Sequence, residues 1–207
     1  QSGEAPNIVS AANTYVAYML EDDMLVDLAP YAEADGFDLA GNMMDWMLEI
    51  AGNTDGEIHS VPYCRSTPLF YYNKAVAQEL SIEIGDMITI DELVKFGQAA
   101  MVKNDAGETT RYGFEIFNDF GYYNAAWIYQ LGSEYLAEDG GSPSLEDGTM
   151  LKVLTDWRDW VDAGWCRVFD VTNAGDTAQT MFVNGELASY MNSSAGLGGL
   201  LQAAAET

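Results

Sequence analysis

The stretch Arg65-Ser66-Thr67-Pro68-Leu69-Phe70-Tyr71-Tyr72-Asn73-Lys74-Ala75 decides the fold of this chain. Its apolar and aromatic run predicts a strand that ends at Asn73 and passes into a short helix. Pro68 fits near the start of that strand, because proline cannot donate to a sheet ladder and is confined to strand ends and edges. A long segment follows the strand, so we predict that it crosses from one lobe of the protein into another.

Length and charge set the outer bounds on structure and partners. The chain has 207 residues, of which 48% are hydrophobic, so it can bury a core as one domain or as two small ones. Its 33 acidic residues against 8 basic ones leave a net charge of -25. Such a surface repels phosphate backbones and anionic lipid headgroups, which argues against nucleic acid and anionic membranes as partners.

The two cysteines and the chain start bear on cellular location. We predict that Cys64 and Cys166 are two buried free thiols. A disulfide between them remains an alternative if the protein is exported. No stretch approaches the ~20 continuous apolar residues of a transmembrane helix, and no basic start followed by an apolar core marks a signal peptide. The abrupt start at Gln1 predicts a mature or truncated product.

Before the opening stretch, the pattern alternates between strand and helix. Residues 5–12 predict a strand, and a helix with apolar positions from Val16 to Met24 follows it. Pro30 is predicted to break this pattern, and a second helix covers residues 43–50. Residues 57–63 alternate apolar and polar side chains, which predicts an extended segment leading into the opening stretch.

After the opening stretch, clear signals mark two helices. Thr89 followed by Glu92 predicts a capping box, and an amphipathic stripe closed by Gly164 predicts a long helix. The members of that stripe are Met150, Val153, Leu154, Trp157, Trp160 and Val161.

Weaker patterns fill the rest of the second half. They predict strands at 111–117 and 186–191, helices at 122–131 and 178–183, and a Ser/Gly-rich turn at 192–199. The order of elements predicts an α/β protein with a sheet sandwiched by helices.

The sequence shows no catalytic machinery. His59 is the only histidine, which excludes a His-based triad or a multi-histidine metal site and predicts a structural role. Residues 53–57 carry oxygen ligands but lack the length and terminal glutamate of a calcium loop. We therefore predict no metal, no cofactor and no enzyme activity. The many carboxylates leave one alternative open, a carbohydrate-active hydrolase that uses paired acidic residues.

Aromatic residues cluster near predicted strand ends, where an α/β protein presents its ligand crevice. Aromatic faces suit the C–H faces of sugars, while neighbouring hydroxyls and amides bind sugar hydroxyls. Core packing is preferred for Tyr71, Trp157 and Trp160, whereas Phe117, Phe120 and Trp127 fit packing and ligand contact equally well. The full set is Tyr63, Phe70, Tyr71, Tyr72, Phe117, Phe120, Tyr122, Tyr123 and Trp127.

Two short polar turns, Ser66-Thr67 and Asn192-Ser193-Ser194-Ala195-Gly196, lie at the ends of predicted strands. Such turns offer hydroxyls and backbone N–H groups to a polar ligand, although helix capping alone explains Ser194 equally well. Arg65 beside the first turn fits an anion contact, but an ion pair with one of the many acids is the commoner arrangement.

Several motifs follow one another in a specific order along the chain. They are Ala5-Pro6-Asn7-Ile8-Val9, 55–62, Ser66-Thr67-Pro68-Leu69-Phe70-Tyr71-Tyr72-Asn73-Lys74, Thr89-Ile90-Asp91-Glu92-Leu93, Tyr112-Gly113-Phe114 and 182–191. In this order they resemble the family 1 extracellular solute-binding proteins of ABC importers. That group includes maltose-binding and glycerol-3-phosphate-binding proteins.

The two polar turns are most similar to those of glycerol-3-phosphate and glycerophosphodiester binders. In those proteins a serine of each turn contacts the ligand, which implies a contact from Ser66 and from Ser193 or Ser194 here. This chain has Asn13 where those relatives carry an acidic ligand residue, so a neutral saccharide is at least an equal alternative to a phosphorylated ligand. The predicted ligand-binding residues are Asn13, Tyr63, Arg65, Ser66, Phe117, Phe120, Trp127, Ser193 and Ser194.

The resemblance implies a two-lobed α/β fold of the type II periplasmic binding protein class. It also implies that the chain is incomplete, without the first strand and helix and without the C-terminal return segment. Residues 1–65 would belong to lobe 1 and residues 66–207 to lobe 2, with the first crossover near 63–72. The implied protein is an exported periplasmic or extracellular monomer, with a lipid anchor as an option. It would close around a sugar, polyol or glycerol-3-phosphate-like ligand and deliver it to ABC permease subunits.

Overall fold

The computed structural model describes residues 6–39, 41–49, 51, 57–117, 122–123, 125–137, 140–169 and 174–206. The chain divides into two units, Gln1–Arg65 and Ser66–Thr207. We refer to them as unit 1 and unit 2.

Unit 1 consists of short helices joined by irregular chain. The helices are α1 (Asn13–Glu21), α2 (Ala29–Ala34) and α3 (Asp45–Glu49). α1 ends before Pro30, as predicted, but Pro30 then lies in the first turn of α2, a helix that the sequence did not predict. A proline is tolerated there because the N–H groups of the first turn have no partner within the helix.

The strand predicted at 5–12 is not formed among its described residues, which lie outside any β-ladder. The segment predicted to be extended at 57–63 lies outside any helix or β-ladder, and its Ile58 N–H finds a side-chain partner. Asp27 Oδ1 accepts hydrogen bonds from the N–H groups of Ala29 and Ile58, each at 3.0 Å. Both bonds hold the pKa of the Asp27 carboxyl below its usual value, and the bond from Ala29 contributes more than the bond from Ile58.

Unit 2 alternates strands and helices. Its strands are β1 (Pro68–Tyr72), β2 (Val102–Lys103), β3 (Thr109–Arg111), β4 (Phe114–Phe117), β5 (Cys166–Phe169) and β6 (Ser189–Ser193). Its helices are α4 (Lys74–Glu79), α5 (Ile90–Ala100), α6 (Ala125–Gln130), α7 (Pro143–Glu146), α8 (Thr149–Asp162), α9 (Ala174–Val183) and α10 (Leu197–Ala205).

The opening stretch forms the predicted strand and helix. β1 pairs with β6 in antiparallel register, with Tyr71 opposite Tyr190. The strand ends at Tyr72, and the Asn73 side chain caps α4 by accepting from the N–H groups of Ala75 (3.0 Å) and Val76 (3.3 Å).

Two further helices begin and end as predicted. The Thr89 hydroxyl accepts from the Glu92 N–H (3.2 Å) while the Glu92 carboxylate accepts from the Thr89 N–H (2.8 Å), which completes the capping box of α5. Helix α8 buries four members of its predicted stripe, Met150, Val153, Trp157 and Trp160. The other two, Leu154 and Val161, are exposed. Gly164 follows the helix with φ of 81°, the left-handed conformation that glycine adopts readily.

Four strands lie side by side in the order β1, β6, β4, β5. β1 with β6 and β4 with β5 form hydrogen-bonded ladders, the second of them parallel. A parallel bridge between Tyr112 and Leu187 joins the chain just before β4 to the chain just before β6. The Ser189 hydroxyl donates to the carbonyl of Gly113 at 2.6 Å across the same boundary.

Helices cover both faces of these strands, which confirms the predicted α/β layering. One face packs against α5, α6 and α8 through a core that includes Phe114, Trp127, Trp157 and Trp165. The opposite face packs against α9 through a second core that includes Tyr190.

Two predictions for the chain after the opening stretch need correction, whereas the helix predicted at 122–131 is present in the described residues as a π-helical turn at 122–123 and α6. The turn predicted at 192–199 is shorter, because β6 runs to Ser193 and α10 begins at Leu197. Both cysteines are free thiols, as expected, but Cys64 is exposed and only Cys166 is buried.

Candidate functional site

The two polar turns of the sequence meet at one end of the β1–β6 ladder. The Ser194 N–H donates to the carbonyl of Thr67 at 2.8 Å, and the Thr67 N–H donates to the Ser194 hydroxyl at 3.2 Å. These bonds extend the ladder by one step beyond Pro68. They place Ser66, Ser193 and Ser194 close together although their turns are far apart in sequence.

A tyrosine from the π-helical segment at 122–123, before α6, joins this group. The hydroxyls of Ser66 and Tyr122 lie 2.9 Å apart, and either can donate to the other. The Tyr122 ring packs edge to face on Tyr123, with ring centroids 4.8 Å apart. Since Ser66 is exposed, its hydroxyl is accessible to a solute.

Asn192 and Ser193 are held by hydroxyls and backbone groups around them. The Asn192 side-chain oxygen accepts from the Tyr123 hydroxyl (3.2 Å) and from the Ser193 N–H (2.7 Å). The Tyr71 hydroxyl donates to the carbonyl of Ser193 at 3.0 Å. The Ser193 hydroxyl accepts from the Ala195 N–H at 3.2 Å and retains its own proton for donation.

We call Ser66, Tyr122, Asn192, Ser193 and Ser194 the serine cluster. It presents hydroxyls and one amide, and no Lys, Arg, Asp or Glu takes part in the hydrogen bonds described for it. Partial burial raises the pKa of the Tyr71 phenol beneath it, with a smaller contribution from Tyr122, so that phenol remains a donor at neutral pH. The hydroxyls and the amide of the cluster are suited to recognising hydroxyl groups.

The remaining predicted site residues lie elsewhere or have packing roles. Asn13, Tyr63 and Arg65 belong to unit 1 and are exposed, with Tyr63 at 88%. Their contact with a ligand stays a prediction. Phe120 lies outside the described residues.

Phe117 and Trp127 are buried, at 8% and 5% exposure. Phe117 stacks on Tyr123 with centroids 5.1 Å apart, so it supports the tyrosine pair from below. Trp127 packs edge to face against Trp157 (5.9 Å) in the core under α6 and α8. Each ring lies on the buried side of its own strand or helix. A role for either ring in ligand contact stays a prediction.

Sequence reasoning missed three side chains that shape the site. Tyr122 and Tyr123 appeared only within a broad aromatic set, and Tyr71 was assigned to packing alone. The signal that could have identified the tyrosine pair is its position directly before the helix that follows β4. The hydroxyl of Tyr71 could not be assigned because its partner, the Ser193 carbonyl, depends on strand register.

The described residues contain no group of three or more His, Cys, Asp or Glu side chains arranged to hold a metal ion. His59 is half-buried, and its Nε2 lies 2.8 Å from a carboxylate oxygen of Glu57 within unit 1. Among the helices in the described ranges, none is long and apolar enough to cross a membrane.

A family model described as "Bacterial extracellular solute-binding protein" matches residues 1–206. A curated binding protein of Brucella abortus (strain 2308) is 29% identical over 136 residues, which are 64% of this chain and 32% of that protein. The chain therefore spans about a third of the length of this curated relative.

Solved structures share the fold at low sequence identity. UgpB from Mycobacterium tuberculosis, in complex with glycerophosphocholine, matches with a TM-score of 0.69 and 22% identity over 90% of this chain and 45% of its own. The GacH receptor of Streptomyces glaucescens, solved with and without acarbose, matches with a TM-score of 0.71 and 17% identity over 92% and 46%. A solute-binding protein from Agrobacterium radiobacter K84 in complex with ribitol gives 0.64 and 21% over 89% and 45%.

Proposed function

Since the chain belongs to the bacterial extracellular solute-binding protein family, we propose that it captures a small polyhydroxylated solute for an ABC importer. The observation that carries this proposal is the serine cluster at the end of the β1–β6 ladder. A solute bound there would be delivered to permease subunits in the membrane.

The chemistry of the cluster fits hydroxyl groups. Each serine or tyrosine hydroxyl both donates and accepts, and an asparagine amide does the same through two atoms. A sugar or polyol carries hydroxyls with the same dual capacity at close spacing. The exposed hydroxyl of Ser66 and the retained proton of Ser193 are the groups that we assign to first contact.

Charge favours a neutral solute over an anionic one. The hydrogen bonds described for the cluster include no cation, and the chain carries a net charge of -25. An anion approaching this surface is repelled at long range, and a buried phosphate needs several donors or a guanidinium to replace its hydration. For a glycerol-3-phosphate-like ligand, Arg65, next in sequence to Ser66, would have to supply the guanidinium that binds the phosphate.

The three solved relatives are consistent with a polyol-type solute. The molecules bound to them are glycerophosphocholine, acarbose or its homolog, and ribitol. All of these carry several hydroxyls, whereas only the first carries a phosphate. We therefore place a neutral sugar or polyol first and a glycerophosphodiester second.

We further propose that units 1 and 2 correspond to parts of two lobes, with the crossover near residues 63–72. Asn13, Tyr63 and Arg65 would then contribute from lobe 1, and the serine cluster from lobe 2. On the same proposal, the protein is exported from the cytoplasm and binds its solute without changing it chemically. The two lobes would close about a hinge, because the bound solute favours the closed form.

Titration calorimetry of the full-length protein tests this proposal. The panel contains ribitol, a maltodextrin, glycerol-3-phosphate and glycerophosphocholine, and each solute is recovered afterwards to check that it is unchanged. Loss of one hydroxyl contact in Ser66→Ala is expected to weaken binding of the cognate solute about 5–15-fold. Ser81→Ala, an exposed serine of a distant turn, serves as the matched control and should bind normally. Silence across the panel, or hydrolysis of a panel sugar, would overturn the proposal.

A further inference from the structure

A row of four polar side chains crosses the strands of unit 2. Tyr71 of β1 is opposite Tyr190 of β6, and Glu115 of β4 is opposite Arg167 of β5. Counting three residues on from the bridge between Tyr112 and Leu187 places Glu115 beside Tyr190. The row therefore reads Tyr71, Tyr190, Glu115, Arg167 on the face that α9 covers.

The two central members of this row are fully buried. Glu115 and Tyr190 each have 0% exposure. The two carboxyl oxygens of Glu115 and the hydroxyl of Tyr190 have no hydrogen-bond partner among the described residues. Buried polar groups are nearly always hydrogen-bonded, and leaving one unsatisfied is costly, so three orphaned oxygens at one place require an explanation.

The neighbours on β5 and α9 do not supply the missing partners, and the side-chain oxygen of Asn192, which lies near the Tyr190 hydroxyl, already accepts from the Tyr123 hydroxyl and the Ser193 N–H. The Arg167 guanidinium lies 4.6 Å from the ring centroid of Phe169 and 5.6 Å from that of Tyr112, stacked on both rings. One of its nitrogens lies 3.8 Å from Met181 Sδ of α9. The remaining side chains that α9 contributes to this core are Ala178 and Phe182, which are apolar.

Burial determines which form of the carboxyl occupies this place. Desolvation raises the pKa of Glu115 to about 9, so the group is a neutral acid at pH 7. Burial also raises the pKa of Tyr190 to about 12, opposed in part by the nearby Asn192 side chain. A neutral carboxyl offers one O–H donor and one carbonyl acceptor, and a phenol offers a donor and an acceptor.

We propose that Glu115 and Tyr190 bind an internal water molecule that links β4 to β6 beneath α9. Between these two groups a water can make about three hydrogen bonds, the usual number for a buried water. The link ties β4 to the strand that carries Asn192 and Ser193. This water site does not depend on any solute, so its test is independent of the test of the proposed function.

A crystal structure of the unmodified protein gives the direct test. The proposal expects an ordered water within hydrogen-bond distance of the Glu115 carboxyl and the Tyr190 hydroxyl. A dry gap, or a direct hydrogen bond between the two side chains, would overturn it.

A double-mutant cycle tests the link in solution. Glu115→Met and Tyr190→Phe each remove one partner of the water, so their effects on the unfolding equilibrium constant should be coupled by about threefold or more. Glu115→Gln keeps a donor and an acceptor and should retain most of the coupling to Tyr190. Tyr71→Phe is the matched control, because its hydroxyl already binds the Ser193 carbonyl, and its effect should be additive with Glu115→Met. Additivity in the Tyr190 cycle would refute the link.

Discussion

Units 1 and 2 use apolar residues in opposite ways. Unit 2 buries three hydrophobic clusters around its strands. In the described part of unit 1, only Val16 and Ala51 are buried hydrophobic residues. Large side chains stay exposed there, among them Ile8, Tyr15, Tyr18, Met24, Val26, Tyr31, Phe37, Met44, Trp46 and Tyr63.

The contrast shows that apolar content alone does not produce a core. Both units have helices, but unit 2 also has paired strands that hold helices on two faces. Unit 1 has helices of nine residues or fewer and no β-ladder among its described residues. Short helices gain little stability without a packed face.

The largest expected difference between the units is in independent folding. A fragment of residues 66–207 is expected to unfold in one cooperative transition, because it contains all three clusters. A fragment of residues 1–65 should show no such transition. Circular dichroism during urea titration measures both, and a cooperative transition in the shorter fragment would break the comparison.

Truncation of one buried side chain should lower the unfolding free energy more in unit 2 than in unit 1. Trp165 is 1% exposed and packs against Trp160 with centroids 5.2 Å apart, so Trp165→Ala should cost about 3–5 kcal/mol of unfolding free energy. Val16→Ala in unit 1 removes less apolar surface and should cost about 1–2 kcal/mol. Denaturant unfolding of the full chain checks both, and equal losses would contradict the distinction.

Glu115 should make the stability of unit 2 depend on pH. The pKa of about 9 in the folded state lies above the ordinary value of 4.5, so between these values the folded protein holds a proton that the unfolded chain has lost. The stabilising contribution is present in full below pH 4.5 and falls as pH rises towards 9, by about 1.4 kcal/mol per pH unit. Among the groups that face Glu115, Tyr190 and Cys166, whose pKa values burial raises, stay neutral over this range.

Unfolding free energies of the wild type and of Glu115→Gln, measured from pH 5 to pH 8, test this dependence. The difference between the two proteins should change steadily in favour of the glutamine variant as pH rises. A constant difference would show that the Glu115 carboxyl ionises in the folded state as readily as in the unfolded chain.

The smallest expected effects concern helix starts. In unit 2, Thr89→Ala removes the cap of α5 and should cost about 1 kcal/mol. In unit 1, Ala12 precedes α1 without a side-chain cap, so Ala12→Ser should stabilise that unit by a similar or smaller amount. Thermal unfolding of both variants measures the two shifts, and a loss on Ala12→Ser would mean that residue 12 does not cap α1.

Prediction from sequence succeeded where the signal is local. The capping box at Thr89, the change from strand to helix at Asn73 and the buried stripe of α8 depend on residues within one or two helical turns, and the structure contains them. Prediction failed for the strand at 5–12, whose described residues form no β-ladder, because an apolar run shows that a segment can pair but not that a partner is available. It also failed for Cys64, whose burial depends on what packs over it.

The sequence by itself determined the strand and helix of the opening stretch, the α/β layering and the solute-binding family. Only the tertiary structure brought the serine cluster together, since Thr67 and Ser194 are 127 residues apart and Ser66 and Tyr122 are 56 apart. Hydrogen bonds between such distant residues depend on strand register and on where a turn directs its side chains. Local propensities and periodicities carry information about neighbours along the chain, whereas a binding surface is made by contacts across it.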